Sequence, residues 1–94
     1  MSVELDESTE VNASAARACA VLEYLTRQLV DQPDAVSVEV ANERGRTTLN
    51  VRVAPGDLGR VIGKRGRTAN AIRTLVRSAA AVRDGVEVDV EFLD

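Results

Sequence analysis

Apolar positions along the chain follow two rhythms. From about Ala13 to Val30 they recur at three- and four-residue steps, at Ala15, Ala18, Leu22, Leu25 and Leu29, which puts them on one stripe of a helix. Asn12 or Ser14 can cap its start. Asp31-Gln32-Pro33-Asp34 ends it, because proline cannot continue a helix and biases Gln32 toward an extended backbone. The period then drops to two. Val36, Val38 and Val40 alternate with Ser37, Glu39 and Ala41, and Thr47, Leu49, Val51 and Val53 alternate with Thr48, Asn50 and Arg52. With Asn42-Glu43-Arg44-Gly45 as the turn between them, these runs predict a β-hairpin with one buried face.

Pro55-Gly56-Asp57 breaks the second strand and can start a short helix, Leu58 to Ile62. A glycine-bounded loop follows, then a long helix from about Arg67 to Arg83 with Ile72, Val76, Ala79 and Ala80 on its main apolar face. Asp84-Gly85 closes that helix, the glycine suiting a left-handed C-terminal cap. Val86, Val88, Val90 and Phe92 alternate with Glu87, Asp89 and Glu91 in a last strand. The order is helix, strand, strand, helix, helix, strand. A helical crossover between the second and third strands makes them parallel neighbours, so the expected fold is α+β, with helices on one face of a three-stranded mixed sheet.

Composition narrows the class. A chain of 94 residues has room for one domain and one modest core. Residues 1–12 hold Glu4, Asp6, Glu7 and Glu10 and little to bury, so they read as a disordered acidic tail preceding a folded domain at 13–94. No stretch approaches the ~20 apolar residues of a membrane span, and the acidic N-terminus does not read as a signal peptide. The single cysteine, Cys19, lies among apolar residues, and the chain has no histidine to activate it; a buried thiol in a reducing, cytoplasmic compartment is the expectation. Charge is uneven: Arg60, Lys64, Arg65, Arg67, Arg73, Arg77 and Arg83 fall in a segment without acids, so it carries +7 and, against a net charge of −3, the rest carries −10. A chain acidic overall can still present a basic face to a polyanion.

The chemistry concentrates in Val61-Ile62-Gly63-Lys64-Arg65-Gly66-Arg67. Two glycines bracket two cations at a helix–helix junction, permitting unusual backbone angles and the close approach of another backbone. Arg67 and Thr68 open the long helix, whose free N–H groups and positive dipole end can receive phosphate oxygens. The candidate RNA-binding residues are Gly63, Lys64, Arg65, Gly66 and Arg67, with Arg60 and the apolar Val61 and Ile62, beside Leu58, as surface for unstacked bases. The plainer reading is a tight turn with solvated basic residues; element order and one-sided charge weigh against it.

The element order with this loop resembles a type II KH domain. The run from Pro55 through Thr68, followed by Ala71-Ile72-Arg73, closely resembles the KhpA (YlqC-like) family of small bacterial single-KH RNA-binding proteins, and Gln32-Pro33-Asp34-Ala35 also fits. The resemblance covers about Val21 to Asp94. It implies that Gly63-Lys64-Arg65-Gly66 clamps the backbone of single-stranded RNA over about four nucleotides. It also implies pairing with a second copy or with a larger KH protein of the KhpB (Jag/EloR) type, and a role as a post-transcriptional regulator or RNA chaperone linked to cell elongation and envelope growth.

Enzymatic readings fare poorly. Three residues separate Gly59 from Gly63, and Arg65 stands where a P-loop needs Ser or Thr for magnesium; the GxGxxG spacing is absent too. Without histidine, acid–base or metal chemistry has few candidates, and no catalytic residue, cofactor or metal is expected; Glu87, Asp89 and Glu91 read as a solvated strand face. Folds that stack bases on aromatic platforms are disfavoured, since only Tyr24 and Phe92 exist and both fall at packing positions. The alternative class is a protein-interaction module: Ala71, Leu75 and Val82 form a second stripe on the long helix, a candidate dimer interface, unless it is extra packing against the first helix.

Overall fold

The computed structural model of the chain describes residues 15–94. The acidic tail and the capping roles of Asn12 and Ser14 lie outside the described residues. Helix α1 spans Ala16–Leu29, strands β1 and β2 span Ser37–Glu43 and Arg46–Arg52, helix α2 spans Leu58–Ile62, helix α3 spans Arg67–Ala79 and strand β3 spans Val88–Leu93. Three tight turns join them: 3-10 turns at Pro33–Ala35 and Lys64–Gly66, and a π-helical turn at Ala80–Asp84 that prolongs α3.

The sheet order is β1-β2-β3, with β1 antiparallel and β3 parallel to β2, as the crossover requires. This is the α+β order of a type II KH domain. Val38 pairs with Val51, Val40 with Leu49 and Leu49 with Val90, so the branched side chains share one face and the helices cover it. The hairpin is tighter than the sequence suggests. Pairing continues to Glu43 and Arg46, and the turn is only Arg44 and Gly45, with φ of 52° and 79°. Both angles are left-handed, as two-residue hairpin turns demand.

Core positions of α1 are Ala18, Leu22 and Thr26, with Ala15 just before it, not the full expected stripe: Leu29 is exposed and Leu25 only partly buried. Thr26 is accommodated because its hydroxyl donates to the Leu22 carbonyl at 2.7 Å, satisfying a buried polar group inside its own helix. Tyr24, assigned to packing from the sequence, is 65% exposed. It lies two residues from both Leu22 and Thr26, and a helix turns about 200° over two residues, away from the core. On α3 the buried positions are Ala69, Ile72, Val76 and Ala80, with Ala79 half-buried at the margin.

Two carboxylates tie distant parts of the fold together. Asp84, at the end of the π turn, accepts the Arg17 and Ala18 amides at 3.4 and 3.0 Å, capping α1 from the far side of the chain. Gly85 follows at φ 69°, and its N–H and that of Val86 both donate to the Ala80 carbonyl. Asp57, 3% exposed, accepts the Asp31 and Gln32 amides at 3.3 and 3.1 Å and so fixes the exit of α1 against the start of α2. Cys19 is half-buried rather than buried; desolvation, then the charges of Asp84 and Glu23, push its thiol pKa up.

Candidate nucleic-acid interface

Helix α2 has only five residues, too few to persist alone, and is anchored by Val61, which is 0% exposed in the core. It ends where the Gly63 N–H donates to the Gly59 carbonyl at 3.0 Å. Gly63 then adopts φ 74°, ψ 176°, a conformation essentially confined to glycine. A Cβ there would overlap the Thr68 hydroxyl and lie 2.7 Å from the Thr68 Cβ. Glycine is therefore required twice over at this position, for backbone angle and for space. Gly66, at φ 73°, ψ 11°, is left-handed too, but a Cβ on it would meet nothing within 4 Å. Arg65 between them holds φ 59°, ψ 24° despite its side chain, a strain of roughly 1–2 kcal/mol. Two hydrogen bonds close the loop: Gly66 N–H to the Gly63 carbonyl at 3.2 Å, and Arg67 N–H to the Lys64 carbonyl.

The turn delivers Lys64, Arg65 and Arg67 to the surface at the start of α3. None of them takes part in an ion pair among the described residues. Nor does α3 carry a side-chain cap or an acid in its first turn. Its N-terminal amides and dipole thus add to three cations that no acid among the described residues pairs with. Such a surface can hold the oxygens of a phosphate chain without regard to bases.

The other candidates around the loop divide. Ile62 and Leu58 are half-buried and keep apolar surface beside it. Val61 does not: it points into the core, because it is the residue that fastens α2 to the sheet, so the expectation that it offers surface to bases is corrected. Arg60 is exposed, but its guanidinium turns away, to Asp31 at 2.9 Å and Asp57 at 3.5 Å. These acids are far off or unremarkable in the sequence, so nothing there signalled that this charge is already engaged.

Farther along α3 one flank is basic and the other apolar. Arg73 lies over the free edge of β3: its Nε donates to the Val90 carbonyl at 3.2 Å, one terminal nitrogen donates to Asn70 Oδ1 at 3.2 Å, and the guanidinium sits 5.2 Å from the centre of the Phe92 ring. Arg77 follows one turn on and approaches Asp89. On the opposite flank Leu75 is 54% and Val82 77% exposed, with Ala71 exposed beside them. That stripe is thus not packing against α1.

Residues 20–92 match the family model described as KhpA/KhpB, KH domain. A protein of Streptomyces coelicolor named "RNA-binding protein KhpA" is 48% identical over 73 residues, 78% of this chain and 90% of that one. Proteins of the same name from Clostridium acetobutylicum and Chlamydia trachomatis serovar D are 45% and 41% identical over the same length, covering 96% and 92% of their chains. Among solved structures, Era of Aquifex aeolicus bound to GDP and aluminium fluoride superposes with a TM-score of 0.64 at 17% identity, over 99% of this chain and 33% of Era. Era in complex with a GTP analogue and a segment of 16S ribosomal RNA gives 0.60, also at 17% identity, over 81% of this chain and 29% of that one. The chain spans about a third of the length of Era, and at this identity the likeness concerns the fold alone.

Proposed function

The chain belongs to the KhpA/KhpB KH-domain family, and from that premise we propose that it is a cytoplasmic RNA-binding protein, not an enzyme, that grips the backbone of single-stranded RNA in the loop Gly63–Gly66. The observation that carries this reading is the conjunction at one turn of two positive-φ glycines, Lys64 and Arg65 without an ion-pair partner among the described residues, and a helix N-terminus with neither side-chain cap nor acid in its first turn. The glycines let a sugar-phosphate chain approach the backbone; the cations and amides meet its charge. Ile62 and Leu58 give neighbouring bases an apolar surface. The relatives named for RNA binding support the same conclusion. Family resemblance adds the wider expectation of a post-transcriptional regulator or RNA chaperone serving cell elongation and envelope growth.

Replacing Lys64 and Arg65 together by Asp reverses the loop charge and keeps both glycines. Affinity for a single-stranded RNA is expected to fall by ~100-fold or more, with the circular dichroism melt nearly unchanged. Undiminished binding would refute the reading.

A second role is compatible with the first. The exposure of Leu75 and Val82 favours a helix–helix interface with a second copy, or with a larger KhpB (Jag/EloR)-type KH protein. Leu75→Glu is expected to give a folded monomer where the wild type sediments as a dimer, since a charge buried in an interface is costly and one on an exposed surface is not. A wild type that stays monomeric at high concentration removes the homodimer.

A further inference from the structure

The basic flank of α3 does not stop at the loop. From Gly66 to Arg77 the helix advances about 16 Å, along the free edge of β3, toward the tip of the β1–β2 hairpin. There Arg77 meets Arg46 of β2 across one carboxylate. Asp89 places one oxygen 3.5 Å from a terminal nitrogen of Arg46 and the other 3.5 Å from a terminal nitrogen of Arg77. All three side chains are substantially exposed. Beside them is a cavity of about 400 Å³ whose walls include Gly45, Ala81, Val86 and Glu87.

We propose that Arg46 and Arg77 form a second phosphate-binding position for the strand held by the loop, and that Asp89 occupies it in the free protein as an internal stand-in for phosphate. Two guanidinium groups that converge on the two oxygens of one carboxylate have the arrangement that also receives two oxygens of a phosphate. The carboxylate they now hold is replaceable, because exposed pairs at this separation contribute little. Glu43, Glu87 and Glu91 stand around the same region, so the position is weak by itself. It acts only on a strand already anchored at Gly63–Gly66, where the tether raises the local phosphate concentration. The proposal therefore rests on the loop reading and predicts a dependence on RNA length.

The test compares oligouridylates of about four nucleotides, enough for the loop alone, and of about twelve. Asp89→Asn keeps the side-chain shape and releases both arginines. Expected is unchanged affinity for the short RNA and about two- to fivefold tighter binding of the long one. That gain should be absent when Asp89→Asn is combined with Arg46→Ala and Arg77→Ala, which should also lower the log–log salt slope on the long RNA by about 1.4. A gain of equal size on both lengths, or one that survives the alanine pair, overturns the second position and leaves the loop reading standing. Wild-type protein that binds neither RNA overturns both.

Discussion

The two ends of α2 are built on opposite principles. At its N-terminal end the buried Asp57 carboxylate collects the amides of Asp31 and Gln32 and the guanidinium of Arg60. At its C-terminal end the chain enters Lys64 and Arg65, whose charges have no ion-pair partner among the described residues, and a helix start with no side-chain cap. Arg60 and Arg65 are five residues apart and chemically identical, yet one is engaged in holding α1 to α2 and the other has no ion-pair partner among the described residues. The difference lies in their surroundings: side-chain partners organise the first end, and backbone conformation alone organises the second.

Removing Asp57 should break the closed end. Asp57→Ala strips two amides and a guanidinium of their acceptor at once, and the expected loss is about 3–5 kcal/mol, read in a urea or thermal melt. A loss below about 1 kcal/mol would mean that water replaces the carboxylate and that the end is not closed as described. The open end is attacked through its glycines. Gly63→Ala forces a side chain into a glycine-only conformation and against Thr68, with an expected cost of about 2–3 kcal/mol and a loss of RNA binding. The same change at Gly66 meets no atom and should cost about 1 kcal/mol. Equal costs at the two glycines would show that the loop relaxes around Gly63 and that its shape is not fixed by the contact with Thr68.

Much of this was legible in the sequence, and what was not has a common cause. The short helix Leu58–Ile62 appears at the residues expected, because Pro55-Gly56-Asp57 and Gly63 punctuate it on both sides. The parallel β2–β3 pair followed from the crossover, and the loop from its glycine spacing. These are local or topological signals. What the sequence does not show are partners that only tertiary structure brings together. Asp84-Gly85 closes the helix as expected, but the Asp84 carboxylate also caps amides 67 and 66 residues earlier. Arg60 stands among the candidate RNA-binding cations, and its pair with Asp31, remote in sequence, is visible only in the fold. Val61, an apolar residue next to a binding loop, could equally serve ligand or core, and only the orientation of α2 decides. Helical periodicity also misjudged α1, where Thr26 is buried and Leu29 is not, because a threonine that satisfies its own hydroxyl can take a core position.

The Asp84 cap has a consequence for how the protein is made. The N-terminus of α1 is completed by a residue near the end of α3, and the central strand β2 gains its second neighbour only from β3, still farther along. A chain emerging from the ribosome presents α1 and the hairpin long before either partner exists. Until residue 84 has been synthesised, α1 lacks the acceptor for two of its first amides, and β2 has one unpaired edge. Non-local closures of this kind come late and set the folding rate. The domain therefore acquires its stability only once β3 has been synthesised, and a nascent chain halted before β3 exposes a two-stranded sheet that is marginal by itself.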